Sequence, residues 1–148
     1  MSDRMRVARA YEEALFAGRM EDVGRCMTDD VVYWVAGRPP IGGEWRGREA
    51  VLRAFENREF GLGQADWGYE DLERIWYEAD ERVLVEIRER SWLRSAPDDI
   101  LDQRTCVVIR FRDGLIAELR DYTDTAPYEG FVERHRSALP KFAARQDR

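Results

Sequence analysis

LDQRTCVVIRFRDGLIAELRDYTDT, residues 101–125, is the stretch whose reading decides the fold. Leu101 to Phe111 and Leu115 to Thr123 are short runs with apolar and β-branched residues bounded by turn residues, which read as β-strands. Between them, Asp113-Gly114 is the dipeptide of a primed two-residue turn, which needs positive φ and matches the natural twist of paired strands. The two runs therefore predict a long antiparallel hairpin. On its second strand Leu115, Ala117, Leu119, Asp121 and Thr123 share one face, opposite Ile116, Glu118, Arg120, Tyr122 and Asp124. The first set is apolar until Asp121, so that face is expected to line the core. On the first strand Gln103 interrupts a row otherwise made of Leu101, Thr105, Val107, Ile109 and Phe111.

Upstream, Ser95 to Asp99 has the composition of a hairpin loop. Val83 to about Leu93 predicts another strand, and Asp80-Glu81 a tight turn after a roughly alternating strand over Tyr69 to Tyr77. The N-terminal part has helical periodicity instead. Ser2 or Asp3 can cap a helix reaching about Ala17, with Val7, Tyr11 and Leu15 on one stripe and Gly18 as its stop. A shorter helix carries Met20, Val23 and Met27, and Val31 to Val35 is a short β-branched strand. Gly37 to Gly43 is a loop through Pro39-Pro40, Arg48 to Asn57 a third helix, and Gly61 to Gln64 a second loop. Ala126 to Leu139 is helical, and the tail after about 140 is expected to be loose. Helices first and antiparallel strands afterwards predict α+β segregation.

The chain has 148 residues, the usual size of one domain, and 44% of them are apolar against 36% charged. Its net charge of −6 argues against nucleic acid as a partner, and Arg88-Glu89-Arg90 and Arg110 to Asp113 interleave signs as a solvated surface does. No apolar run approaches the ~20 residues of a membrane span, and the first residues lack the core of a signal peptide. Cys26 and Cys106, isolated among apolar neighbours, are expected to be buried free thiols in a reducing, cytoplasmic setting. One His and two distant Cys provide no zinc spacing, so no metal or cofactor is expected, although carboxylates alone can hold a weak hard cation. No glycine loop of the phosphate-cradling kind is present.

The element order resembles the SnoaL-like, nuclear transport factor 2-like superfamily, which includes ketosteroid isomerase, scytalone dehydratase, limonene-epoxide hydrolase and polyketide cyclases. The likeness is carried by Asp29 to Trp34, by Gly42-Gly43-Glu44-Trp45-Arg46-Gly47-Arg48-Glu49-Ala50-Val51, and by Arg112 to Ile116 with Leu119 to Thr125. It implies a cone-shaped α+β barrel, with N-terminal helices packed in a strongly curved, mostly antiparallel sheet that encloses an apolar cavity. It also implies a homodimer through the outer face of the sheet.

The resemblance further implies that Asp121 is the acid or base, since that segment carries the catalytic Asp in epoxide hydrolases and cyclases. Epoxide hydrolases join two Asp through an Arg. Counting back from the Asp113-Gly114 turn puts Arg88 at the arginine position and Arg90 where the second Asp would be. Glu86 can supply the missing acid in a Glu86–Arg88–Asp121 network, whereas a shift of one residue would bring Glu89 inward; Val83, Val85 and Ile87 favour that second face. A cross-strand salt bridge on the outer face is the plain alternative. Tyr33 corresponds to the tyrosine that positions water, but Val35 stands where its companion Asn would be. Gln103, Tyr11, Trp34 and Leu119 are candidate pocket walls. Ketosteroid isomerase's base has no counterpart in Ala36 to Pro39, and His135, the lone histidine, either covers the pocket mouth or is an ordinary packing residue. The expected activity is cofactor-independent acid–base catalysis on an apolar oxygenated small molecule, by cyclisation, isomerisation, dehydration or epoxide opening. The alternative is a non-catalytic ligand-binding or dimerisation domain.

Overall fold

A computed structural model describes residues 1–39, 41–56 and 67–139 of the chain. Helix α1 (Asp3–Phe16) starts where the Ser2 hydroxyl accepts from the Met5 amide, a side-chain N-cap. Its buried face is Met5, Ala8, Tyr11 and Ala14, with Val7 and Leu15 at the flanks, so the stripe is rotated from the expected one. Small Ala8 and Ala14 let the helix lie close against the sheet. Helix α2 (Met20–Arg25) is followed by β1 (Met27–Val35), which begins four residues earlier than expected and takes Met27 from the helix. Gly43–Arg46, read as a lead into the next helix, is a short strand, β2, before α3 (Arg48–Glu56). The expected last residue of α3, Asn57, and the Gly61–Gln64 loop lie outside the described residues.

The remaining strands are β3 (Trp67–Ala79), β4 (Arg82–Leu93), β5 (Ala96–Arg112) and β6 (Leu115–Thr123), followed by α4 (Thr125–Arg134) and a 3₁₀ turn at Arg136–Ala138. The β5–β6 turn has positive φ at Asp113 and Gly114, as a primed turn requires. The loop expected over Ser95–Asp99 shrinks to a turn at Arg94-Ser95, because β5 pairs with β4 as far as Ala96 opposite Leu93. The terminal helix ends at Arg134, earlier than Leu139, and the tail after 140 is outside the described residues.

The strands form one sheet in the order β2-β1-β6-β5-β4-β3, antiparallel throughout except for the parallel β1–β6 pair. This is the expected α+β architecture, but among the described residues β2 and β3 remain unpaired edges, so the sheet is open and not a closed barrel. Two irregularities change the faces. Leu72 is an extra residue in β3, between Asp71 opposite Glu89 and Glu73 opposite Arg88. Ala117 is extra in β6, between Ile116 opposite Phe111 and Glu118 opposite Arg110. The second one puts Ile116 in the core instead of Leu115 and Ala117, which are only partly buried.

The concave face packs on α1 and α3 through Val31, Tyr33, Val83, Ile109, Ile116 and Leu119. A second cluster, Ile41, Leu93, Leu101, Tyr128, Phe131, Val132 and Leu139, seats α4 against the far end of the sheet. Gly68 belongs to this region: a Cβ there would sit 2.3 Å from Cε2 of Trp92, so the indole lies directly over bare backbone.

Candidate functional site

The two clusters leave between them a cavity of about 680 Å³. Its lower wall comes from β1, β5 and β6, and the neighbouring strands and α1 complete it. Alternation on β6, restored after Ala117, turns Leu119, Asp121 and Thr123 toward the concave side. Val35 on β1 and Val107 on β5 flank Asp121, so its carboxyl emerges from an apolar strip.

Asp121 Oδ2 accepts a hydrogen bond from the Tyr33 hydroxyl at 3.3 Å. Its Oδ1 is closed to solvent and has no hydrogen-bond partner among the described residues. Burial pushes this carboxyl up to about 7; the Tyr33 hydrogen bond pulls the other way, and the negative charge of Glu89 adds to the rise. Tyr33 is held edge-on by Phe55 of α3, with ring centroids 5.4 Å apart, and lies 6.0 Å from the Trp45 ring of β2. Burial, then the charge of Asp121, raises its phenol well above the ordinary value, so it stays a donor. Tyr11 reaches the cavity from α1, and burial first raises its phenol too, with the charges of Glu12 and Asp121 adding.

A polar row leads from this centre across the sheet. Gln103 Nε2 donates to Thr123 Oγ1 at 2.5 Å, and the Thr105 and Thr123 hydroxyls are 3.1 Å apart. Gln103 is opposite Glu89 on β4. Glu89 therefore faces the cavity, and burial raises its carboxyl although hydrogen bonding from Tyr69 and the charge of Arg74 oppose this. The residue at Leu72 allows Tyr69, Asp71, Arg74 and Trp76 all to turn inward on β3. Arg74 donates to Glu12 of α1, to Asp71 Oδ2 at 2.8 Å and to the Tyr69 hydroxyl at 3.1 Å. For Glu12 burial outweighs that ion pair, and its carboxyl is raised.

Of the residues expected from sequence, Asp121, Tyr33, Tyr11 and Gln103 meet in this cavity. The others do not. Val83, Val85 and Ile87 are buried, so Glu86 and Arg88 face outward. Arg88 Nη2 pairs with Asp102 at 3.1 Å, the cross-strand alternative, and Glu86 accepts from Tyr77 at 3.2 Å. The Glu86–Arg88–Asp121 network is thus not formed, because side chains one residue off register lie on opposite faces. Trp34 is likewise on the outer face, its ring tilted against that of Tyr122 with centroids 5.1 Å apart. Leu119 is fully buried packing in the core and lies outside the cavity wall. His135 pairs with Asp99 at 2.7 Å beside α4 and does not cover the cavity. Cys26 and Cys106 are free thiols but only partly buried, Cys106 lying on the outer side of β5 with Glu86.

Sequence reasoning missed Glu12, Tyr69 and Arg74, put Thr123 on the inward face without giving it a role, and offered Glu89 only as a shifted alternative. The apolar set Val83, Val85, Ile87 was the available signal for Glu89; nothing local announces Arg74, whose inward turn follows from the extra residue at Leu72. No group of three His, Cys, Asp or Glu side chains arranged to hold a metal occurs among the described residues. No described helix is long and apolar enough to cross a membrane.

The sequence model of the SnoaL-like domain family matches residues 7–119. Among solved structures, an NTF2-like protein from Burkholderia xenovorans LB400 is 17% identical with a TM-score of 0.74, covering 86% of this chain and 94% of its own. TerC, co-crystallised with polyporic acid, is 18% identical with a TM-score of 0.71, covering 89% and 99%. An LEH-like epoxide hydrolase from M. tuberculosis is 22% identical with a TM-score of 0.66, covering 93% and 94%. At such identities the likeness is one of fold. A comparison with curated protein sequences finds no match.

Proposed function

This chain belongs to the family of SnoaL-like domains, and on that premise we propose that it is a cofactor-independent acid–base enzyme acting on an apolar oxygenated small molecule. The observation that carries the reading is the Asp121 carboxyl, which lines an aromatic-walled cavity, is pushed up to about 7 by burial and is oriented through Oδ2 by the Tyr33 hydroxyl. A carboxyl of that kind can take a proton from substrate and return it, an effect of roughly 10²–10⁴ in rate. Tyr33 and Tyr11, both kept protonated, are suited to hold a substrate oxygen, and Gln103 with Thr123 to orient a second polar group.

Two features weigh against epoxide opening among the candidate reactions. The inward residue two before Glu89 is Ile87, so no arginine of β4 joins the two acids, and Val35 replaces the expected Asn. Cyclisation, isomerisation or dehydration fits better. The reading includes a homodimer through the outer sheet face, where Ile75, Tyr77 and Tyr122 are exposed.

A thermal-shift panel of cyclic epoxides, terpenoid ketones, steroids and aromatic polyketides, run on wild type and Asp121→Asn, tests the proposal. A ligand that stabilises both but is transformed only by wild type supports it. Turnover retained by Asp121→Asn sinks it, and stabilisation without turnover by either favours a non-catalytic ligand-binding domain.

A further inference from the structure

Charge in the cavity is unbalanced. The described lining holds four carboxylates, Glu12, Glu56, Glu89 and Asp121, against one guanidinium, Arg74. Arg74 directs Nε, Nη1 and Nη2 toward Asp71, Glu12 and the Tyr69 hydroxyl, and none of these bonds reaches Asp121. Asp121 Oδ1 is shut from water and has no hydrogen-bond partner among the described residues, so the ionised carboxylate is poorly stabilised within the fold. A purely apolar ligand would leave it so, and an anionic one would add repulsion to that of Glu89, whose charge already acts on Asp121.

The walls point the same way. Trp67 and Tyr69 meet edge to face at 5.8 Å, and Trp76, Phe16 and Phe55 add further ring faces to the lining. Two of these rings already attract cations within the fold: Arg9 lies 5.0 Å from the Trp76 centroid and Arg74 5.2 Å from that of Phe16. Aromatic faces beside carboxylates that lack a counter-ion favour a cation.

We infer that the cavity selects ligands carrying a protonated amine on an aromatic or alicyclic frame, the ammonium lying between Glu89 and Asp121. The inference rests on this cavity being the ligand site, as proposed above, and adds the substrate's charge. An ammonium beside Glu89 and Asp121 supplies the positive charge this lining is short of, and an ammonium N–H to a carboxylate is a charge-assisted bond about twice as strong as a neutral one. As it docks, the Asp121 carboxyl gives up its proton to the buffer, so the ammonium meets a carboxylate.

The test compares binding of three probes of matched shape, 2-naphthylmethylammonium, 2-naphthylmethanol and 2-naphthoate, at pH 7.5 by titration calorimetry. Expected is an order of preference amine, alcohol, carboxylate, with the amine about tenfold tighter than the alcohol, equivalent to ~1.4 kcal/mol. Glu89→Gln should reduce that ratio to less than about threefold while keeping alcohol binding, which also reports that the variant is folded. The inference is overturned if the alcohol matches or exceeds the amine, if the ratio is unchanged in both Glu89→Gln and Asp121→Asn, or if wild type binds none of the three. The readout is binding, so turnover surviving in Asp121→Asn would sink the catalytic reading alone.

Discussion

Asp121 is costly to ionise, and that cost has a sign. Its carboxyl lies at about 7 in the fold against an ordinary 3.8, so between those values the folded chain holds a proton that the unfolded chain has released. Stability therefore falls as pH rises through this window, and the full penalty, at most about 4 kcal/mol, is present above pH 7. Asp121→Asn should remove it: the variant melts higher than wild type at pH 8, and the difference vanishes toward pH 4. Thermal unfolding across pH 4–8 measures this, and equal melting temperatures at pH 8 would refute it. Tyr33 acts on the same carboxyl in the opposite direction, because its hydrogen bond favours the ionised form. Once a substrate is in hand, Tyr33→Phe should lower turnover and move the acid limb of the pH–rate profile upward. A limb that stays in place would show that the phenol does not tune the base. Both residues were legible in the sequence, Asp121 at the end of an apolar stripe on its strand and Tyr33 through the family resemblance. Arg74 and Tyr69 were not: their inward direction depends on the extra residue at Leu72, and no composition signal marks that position.

At the scale of single elements, β4 decides which charges reach the site. Its two rows, Glu86-Arg88-Arg90 and Val83-Val85-Ile87-Glu89, both contain acids; the apolar set favours the second, and packing against α1 and the rest of the core selects it. Arg88→Ala should consequently leave turnover unchanged and barely move the melting temperature, because its ion pair with Asp102 is exposed. A hundredfold loss of rate would mean that β4 is read from the wrong side. Strand β3 depends on a different residue. Gly68→Ala drives a methyl into the Trp92 indole and should destabilise the fold by about 1–3 kcal/mol in chemical denaturation. Little change would mean that the ring can leave. The length of β5 was under-read for a related reason: Pro97-Asp98-Asp99 has loop composition, but pairing at the sheet's end overrides local preference.

For the whole molecule, the sheet's convex face completes the proposal. Tyr77, Leu84 and Val108 lie opposite one another across three strands, and Ile75 and Tyr122 flank that row. The expected dimer buries this row, and Ile75→Asp should convert a species of twice the monomer mass into monomer in light scattering; a wild-type monomer would discard the interface. What the sequence determined by itself was the order and class of elements, the β5–β6 hairpin and the inward parity of Asp121. These depend on contacts close along the chain: turn dipeptides, caps and alternation within one strand. Only the tertiary structure decided that the sheet stays open and that Glu12, Tyr69 and Arg74 converge on the cavity, and it chose between the two rows of β4, of which the apolar set had favoured the one that carries Glu89. The inward turn of Arg74 depends on the extra residue at Leu72, and the convergence on the cavity depends on burial summed over distant elements, which no local pattern encodes.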